Sequence, residues 1–203
     1  MGASATTSGV NYIFDLDGTL ISLPVAWDEV RSALRSVTET SMDFNPFFLD
    51  IQVILAKRPE LRHDVLKTID HYESLAVPQA TLKEGALESL TKLADRASLS
   101  LVTMQGAAAC AQILRRLDIS KFFVSKFTRE DSMDRPTQLG MAIDSLGASK
   151  EKAVFVGDRI NDLNAARSVG VKFVMIRSRP DSPPADALYR SVKEFAESPW
   201  VRG

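Results

Sequence analysis

The sequence is poor in residues that stabilise or anchor several classes of protein. It has one cysteine, Cys110, among 203 residues, so an internal disulfide framework is excluded and a reducing, cytoplasmic location is expected. Its only histidines, His63 and His71, do not have the spacing of three or four that brings two metal ligands together on a helix. No apolar run approaches the roughly 20 residues that a membrane-spanning helix needs, so no membrane partner is expected.

An excess of charge of either sign is also missing. Lys and Arg total 25 against 26 Asp and Glu, which leaves a net charge of -1. No basic field therefore favours a nucleic acid or an anionic membrane as a partner. What is present is a hydrophobic content of 45%, enough to bury a core in a chain of this length. These values predict one globular domain with an insertion.

Residues 12–20 read YIFDLDGTL, an apolar strand that ends in two carboxylates and a glycine turn. A short apolar run bounded by turn residues is typical of a buried parallel strand, and such strands present ligand sites at their carboxyl ends. Asp15 and Asp17 would then lie at the edge of the sheet, where one can attack or bind a cation while the other transfers a proton. An ordinary Asp-Gly turn is the alternative interpretation.

Residues 154–162 read VFVGDRIND and repeat this design. An apolar strand again ends in Gly-Asp, and Asp162 follows Asp158 by about one helical turn, close enough to share a site. Four acids at one edge of a sheet would repel one another strongly unless a cation joins them. Mg²⁺ is the expected cation, because it prefers hard oxygen ligands at phosphate sites.

A third strand, residues 99–103, ends in Thr103 and is followed by Gly106 and a helix over residues 107–117. A strand that leads into a helix places a hydroxyl and backbone N–H groups near a helix amino end, where anions are favoured. Thr103 and the amides of Met104 and Gln105 are therefore candidate phosphate ligands. A threonine at a strand end is otherwise commonplace.

The sequence alternates strands and helices from residue 83 onward, which predicts an α/β protein with a Rossmann-like doubly wound parallel sheet. Between the first two strands, apolar residues recur at helical spacing in three segments that begin near Pro24, Pro46 and Pro59. These segments predict a small inserted α-helical bundle. The predicted boundaries are a core of residues 10–20 and 83–203, a cap of residues 21–82, and a loose tail of residues 1–9.

The motifs at residues 15–20 and 157–162, with the strand that ends at Thr103, resemble the haloacid dehalogenase-like superfamily of hydrolases. The resemblance implies that the helical insertion is a cap of the C1 type. It implies that Asp15 is both nucleophile and Mg²⁺ ligand, that Asp17 binds the metal through its backbone carbonyl, and that Asp158 completes the ligands with Asp162 in support.

The reaction implied is that of a phosphatase on a small phosphorylated metabolite, similar to the phosphoglycolate phosphatases. Asp15 would attack the phosphate monoester to give an aspartyl-phosphate that water hydrolyses. Asp17 would protonate the leaving alkoxide and later accept a proton from water. The presence of Asp17 favours phosphoryl transfer, because the dehalogenase branch lacks an acid at this position. The substrate, a phosphomutase role and the oligomeric state stay open.

The family's third motif is usually a lysine, often followed by proline, and this chain has Arg135 before Pro136. Arginine keeps the positive charge but replaces a point charge with a planar fork. Either Arg135 serves in place of the lysine, or turnover is weak and the protein binds phosphate compounds in a regulatory role. Lys126 is a lesser candidate for the cation.

Four cap arginines could meet an anionic substrate, although a solvated helix face explains them as well: Arg31, Arg35, Arg58 and Arg62. A receiver-type phosphoacceptor domain also pairs acids with threonine and lysine, but the long insertion and residues 157–162 argue against it.

Overall fold

The computed structural model describes residues 9–177 and 185–202. Within these ranges the strands are β1 (Asn11–Phe14), β2 (Ile21–Ser22), β3 (Thr81–Leu82), β4 (Leu99–Val102), β5 (Phe123–Phe127), β6 (Ala153–Gly157), β7 (Lys172–Ile176) and β8 (Ala187–Tyr189). The helices are α1 (Trp27–Thr38), α2 (Phe47–Lys57), α3 (Arg62–Ala76), α4 (Ala86–Ala94), α5 (Ala107–Arg116), α6 (Arg135–Ser145), α7 (Ile160–Val169), α8 (Val192–Ala196) and α9 (Pro199–Arg202).

Six strands form one parallel sheet in the order β5-β4-β1-β6-β7-β8. Every residue of β1, β4 and β6 is buried, which explains why these strands are almost continuously apolar. Two clusters of core residues cover the sheet. The prediction of a Rossmann-like doubly wound α/β fold is confirmed.

Strand β1 lies at the centre, between β4 and β6. Phe14 is in register with Leu101 of β4 and with Val156 of β6. The carboxyl ends of the three strands therefore meet at one edge, on both sides of the point where the strand order reverses. In open parallel sheets this is the position where ligands bind.

The helical insertion is present as α1, α2 and α3, consistent with a C1-type cap. A short antiparallel ribbon of β2 and β3 carries the chain out of the sheet and back to it, with Ile21 opposite Leu82. The third predicted cap helix differs in its start, because Pro59–Leu61 forms a 3₁₀ turn and the α-helix begins at Arg62. The division at residues 21–82 stays a prediction.

Several short elements were not predicted from the sequence. Strands β2, β3 and β8 have two or three residues each, too few for an apolar period to show. Of the predicted tail over residues 1–9, only Gly9 lies within the described residues. Across the described residues, we find no helix that combines the length and the apolar character needed to cross a membrane.

Cys110 lies in α5 and is 2% exposed, so it is a residue of the hydrophobic core. Burial raises the pKa of its thiol to about 12. A thiol that stays protonated at neutral pH is a poor nucleophile, so Cys110 has no part in the chemistry considered below.

Candidate active site

The two acidic motifs emerge side by side at the carboxyl ends of β1 and β6. Asp15 directly follows β1, and its N–H donates to the carbonyl of Val156 at 2.9 Å. Asp158 directly follows β6. The parallel pairing of these two strands thus brings together motifs that are more than 140 residues apart in sequence.

Gly18 allows the two motifs to pack against each other. Its φ of +93° lies in the left-handed region, which side chains with a Cβ rarely adopt. A Cβ at this position would lie 2.3 Å from Asp158 Oδ2. The glycine after Asp17 is therefore needed both for the turn and for the close approach of Asp158.

Asp15, Asp158 and Asp162 form an acidic cluster in which one carboxylate oxygen from each residue lies within 4.8 Å of the others. Asp162 sits in the first turn of α7 and accepts the N–H of Arg159 at 3.3 Å. The side chain of Asp17 instead accepts the N–H of Leu23 at 2.9 Å. Three of the four predicted metal ligands thus converge through their side chains, and the backbone role of Asp17 stays a prediction.

The electrostatics of this cluster suit a cation. Burial raises the pKa of Asp15, and the neighbouring Asp162 raises it further. Burial likewise raises the pKa of Asp158 to about 6. Among the described residues, Asp158 Oδ1 has no hydrogen-bond partner although it is buried. Three carboxylates with an unsatisfied oxygen are the hard donor set that Mg²⁺ prefers, so these residues fit the ion that the family resemblance implies.

Arg135 lies beside the acidic cluster, at the first position of α6. Its Nη2 donates to Asp15 Oδ1 at 2.9 Å, and its Nε lies 3.2 Å from Asp162 Oδ1. Helix α6 begins here because the Asp134 carboxylate caps it by accepting the N–H of Thr137, and because Pro136 suits the first turn. The planar guanidinium can contact two carboxylates at once, which a lysine ammonium would do with less fixed geometry.

Gln138 supports Arg135 and was not predicted as a site residue. It is fully buried, and its Oε1 accepts Arg135 Nη1 at 3.1 Å. Its Nε2 lies within 3.0 Å of three backbone carbonyls, those of Thr103, Thr128 and Ser132. The sequence contains one signal for this supporting role. Gln138 follows Arg135 by three positions, and on a helix this spacing places the two side chains on one face.

Thr103 follows β4 and is fully buried. Its hydroxyl donates to Gln105 Oε1, and the N–H of Gln105 donates back to Thr103 Oγ1 at 3.2 Å. The carbonyl of Met104 accepts Arg129 Nη1 at 2.9 Å. The three predicted phosphate ligands thus form a turn that is tied by its own hydrogen bonds, and their role toward phosphate stays a prediction.

The amino end of α5 is occupied by two carboxylates that sequence reasoning did not single out. Gly106 N–H donates to Glu73 Oε2 at 3.0 Å, and Ala107 N–H donates to Glu130 Oε2 at 2.9 Å. Glu73 belongs to the cap helix α3 and is fully buried, as is its ion-pair partner Arg129, 2.7 Å away. Glu73 therefore connects the cap to the loop that carries Thr103.

A cavity of about 240 Å³ lies between the cap and the acidic cluster. The core contributes Asp15, Asp17, Met104, Gln105, Met133, Asp134, Arg135, Arg159, Asn161 and Asp162 to its lining, and the cap contributes Trp27, Pro46, Phe47, Phe48, Leu49 and Gln52. Lys126, the lesser candidate for the cation, instead donates to the carbonyl of Phe123 at 3.2 Å.

The fold and the site define a class: an α/β protein with an acidic site at the switch point of a parallel sheet, under a helical insertion. Residues 12–176 match the family model described as haloacid dehalogenase-like hydrolase, and the chain belongs to this family.

Individual relatives are more distant. The chain is 27% identical over 140 residues to a phosphoglycolate phosphatase of Shigella boydii, a match that covers 64% of this chain and 56% of that protein. A hydrolase from Pseudomonas syringae has a similar fold, with a TM-score of 0.74 at 20% identity over 92% of this chain and 95% of that one. A haloacid dehalogenase-like hydrolase from Streptococcus pneumoniae has a TM-score of 0.70 at 18% identity over 93% and 97% of the two chains.

Proposed function

We propose that this protein is a Mg²⁺-dependent phosphatase that acts on a small phosphorylated metabolite through an aspartyl-phosphate. The observation that carries the proposal is the buried carboxylate of Asp15, which contacts Arg135 at 2.9 Å within a cluster of three acids. Membership of the hydrolase family and relatives named phosphoglycolate phosphatase support the same reaction class.

The residues that would hold Mg²⁺ are Asp15, Asp158 and Asp162 through their carboxylates and Asp17 through its backbone carbonyl. The bound ion would supply positive charge that offsets the charge of these acids and of the phosphate. Within the part of the chain that the structure describes, Asp158 Oδ1 is buried without a hydrogen-bond partner, and the ion would supply one.

In the first half-reaction, a carboxylate oxygen of Asp15 attacks phosphorus and the bond from phosphorus to the alcohol oxygen breaks. Asp17 donates a proton to the leaving oxygen. In the second half, a water oxygen attacks phosphorus, Asp17 takes the proton of the water, and the bond from phosphorus to the Asp15 oxygen breaks to release inorganic phosphate. Burial raises the pKa of Asp17, which favours the protonated form that the first step needs, while the Leu23 N–H fixes one of its oxygens.

Arg135 would stabilise the charge on the transferring phosphoryl group, in place of the lysine usual in the family. Its contact with Asp15 puts the positive group next to the attacking oxygen, and Gln138 holds its orientation. Thr103 and the amides of Met104 and Gln105 would bind phosphate oxygens. For this, the Thr103 hydroxyl would exchange its bond to the Gln105 side chain for one to phosphate.

We further propose that residues 10–20 and 83–203 form the catalytic core and residues 21–82 a cap that excludes water from it. The cap borders the cavity above Asp15 and is tied to the core loop at Gly106 by Glu73. This arrangement would leave substrate selection to the cap and the chemistry to the core.

The test is turnover of a panel of phosphate monoesters by the purified protein, with Mg²⁺ and with a chelator in excess. We expect phosphate release that the chelator abolishes and Mg²⁺ restores. Asp15→Asn should be inactive and as stable as the wild type, which excludes a contaminating phosphatase. Turnover that survives chelation, or that persists in Asp15→Asn, would contradict the proposal.

A second candidate is a regulatory protein that binds phosphate compounds with little turnover. It is favoured by the hydrogen-bonding of Arg135, whose guanidinium already contacts Asp15, Asp162 and Gln138, so that a phosphate would have to compete for it. Binding of panel compounds without phosphate release, measured by calorimetry and product assay on the same sample, would select this function.

A further inference from the structure

The cap side of the active-site cavity is an aromatic and aliphatic surface, which we call the cap wall. It consists of Trp27, Pro46, Phe47, Phe48 and Leu49. Trp27 meets Phe47 edge to face at 4.9 Å between ring centroids, and Phe47 meets Phe48 in the same way at 5.0 Å. All three rings are only partly buried, so apolar area of the cap wall is left for a ligand to cover.

Gln52 is the polar residue that the cap contributes to the cavity, and its Nε2 is committed to the core. It donates to the carbonyl of Met133 at 2.8 Å, which holds α2 over the site. Met133 and Met104 add two flexible apolar side chains from the core side of the same cavity. The part of the cavity next to the cap is therefore apolar on both sides.

Charge in the cavity argues in the same direction. Among its described lining residues, every charged side chain belongs to the core: the acids Asp15, Asp17, Asp134 and Asp162, whose charge a bound Mg²⁺ would offset in part, and the arginines Arg135 and Arg159. Arg135 is already bound to Asp15 and Asp162, and Arg159 belongs to the core. The cap arginine nearest the rings, Arg31, lies over Phe47 at 5.9 Å and pairs with Asp28, and it does not line the cavity. The cap thus offers no cation for a second negative charge on a substrate.

We propose, on the basis of the phosphatase function proposed above, that the substrate is the phosphate monoester of an uncharged alcohol carrying one aromatic or branched apolar group. The phosphate is held at Asp15 and Arg135, and the apolar group lies against the cap wall. The cavity beside the cap wall, about 240 Å³, has room for a single ring, whereas pockets for drug-sized ligands measure roughly 300 to 1,000 Å³. Phosphoglycolate fits poorly, because its carboxylate would face the apolar side chains of the cap wall, where the described lining has no cation.

Binding of two non-hydrolysable probes tests this preference without turnover. Benzylphosphonate and phosphonoacetate share a phosphonate, but one carries a phenyl ring and the other a carboxylate. With Mg²⁺ present, we expect calorimetry to give benzylphosphonate an at least tenfold lower Kd, since even one methylene group in an apolar pocket is worth about 10- to 200-fold. Equal affinities, tighter binding of phosphonoacetate, or no binding of either probe would overturn the proposal.

Two variants assign the preference to the cap wall. Phe47→Ala should reduce the ratio of the two affinities about tenfold. Phe122→Ala, at a partly buried phenylalanine in the 3₁₀ turn before β5, should leave the ratio unchanged. Leu49→Arg adds the missing cation at a side chain that is 56% exposed and should tolerate the change. It should tighten phosphonoacetate severalfold. An unchanged ratio in both Phe47→Ala and Leu49→Arg would overturn the assignment.

Turnover separates this inference from the function on which it rests. Ethyl phosphate, benzyl phosphate and phosphoglycolate all release an aliphatic alkoxide, so their intrinsic reactivities are similar and kcat/KM compares their fit. We expect benzyl phosphate to be at least tenfold better than the other two. Hydrolysis of all three at equal kcat/KM would retain the phosphatase and reject the apolar substrate class. Selective binding of benzylphosphonate without hydrolysis of any ester would reject the phosphatase and retain the preference of the site for an apolar group.

Discussion

Arg129 and Arg135 are six positions apart, and each joins two carboxylates from other parts of the chain, yet their surroundings differ. Arg129 is 0% exposed and pairs with Glu73, also 0% exposed, and with the half-exposed Asp70. Both partners lie on cap helix α3. Its third contact, the Met104 carbonyl, belongs to the core. Arg129 therefore links the cap to the core through contacts from which its own side chain is closed to solvent.

Arg135 is 14% exposed, lines the cavity between the cap and the acidic cluster, and pairs with Asp15 and Asp162, which both belong to the core. Its partners are part of a cluster with more carboxylates than cations. The same ionic chemistry thus has different consequences. A buried pair that is closed to solvent stabilises one arrangement of cap and core, while an accessible pair beside excess negative charge can exchange partners with a ligand.

The largest effect on stability is expected from Arg129→Met. It leaves Glu73 as an uncompensated buried charge, and breaking a buried pair in this way costs about 3 to 5 kcal/mol of unfolding free energy. Urea denaturation measures the loss, with Arg115→Met, an exposed arginine on α5, as the control. Glu73→Leu combined with Arg129→Met should recover part of it. A double variant less stable than Arg129→Met would contradict the assignment of the loss to the stranded carboxylate.

Arg135→Ala should mainly change activity. If Arg135 fills the lysine role, kcat should fall by about 10² to 10³, the usual loss for one donor to a transferring group. Arg135→Lys should keep much of the activity, reduced by the loss of the two-pronged grip. Steady-state kinetics and urea denaturation on the same preparations separate a loss of catalysis from a loss of stability. An active enzyme indifferent to Arg135→Ala would direct attention to Arg159, the other arginine that lines the cavity.

Gln138→Leu should have an intermediate effect on both stability and activity. It leaves the carbonyls of Thr103, Thr128 and Ser132 without this donor, and an unsatisfied buried group costs about 1 to 3 kcal/mol. It also frees one arm of Arg135. We expect lower stability together with a kcat loss smaller than in Arg135→Ala. The matched control is Gln112→Leu on the exposed face of α5. Loss of stability with unchanged kcat would show that Gln138 does not position Arg135.

The smallest effect is expected from Asp70→Asn. Asp70 contacts Arg129, but its side chain is 47% exposed and therefore well solvated. Exposed ion pairs contribute roughly 0 to 1 kcal/mol, so the midpoint of urea denaturation should shift little. A loss as large as that of Arg129→Met would mean that Asp70, and not Glu73, holds the cap to the core.

The sheet and the residues beside it could be predicted because their signals are local. Apolar runs that end in Asp15 and Asp158 identify β1 and β6, and helical periodicity identifies the cap helices. That Arg135 takes the place of the family's lysine was predicted from its motif and stays a prediction. Its contacts with Asp15 and Asp162 could not be predicted, because they depend on how α6 and α7 pack.

The Glu73 and Arg129 pair could not be predicted for a related reason. Both residue types are usually solvated, and Glu73 lies on an otherwise amphipathic helix, so a surface position was the reasonable expectation. Its burial results from the docking of α3 on the loop at Gly106, where an added Cβ would lie 2.6 Å from Arg129 Nη2. Only the three-dimensional contact reveals this need for glycine and for a buried charge pair.

Because Cys110 is the one cysteine of the sequence and is buried, it can report the opening of the contact between cap and core without an engineered labelling site. Cys110 lies on α5, which packs against cap helix α3, and its thiol is both covered and protonated in the native state. An alkylating reagent can modify it only in molecules whose α5 region has opened. Each modified molecule gains one adduct, so intact mass spectrometry over time would give the fraction of molecules that have exposed this thiol.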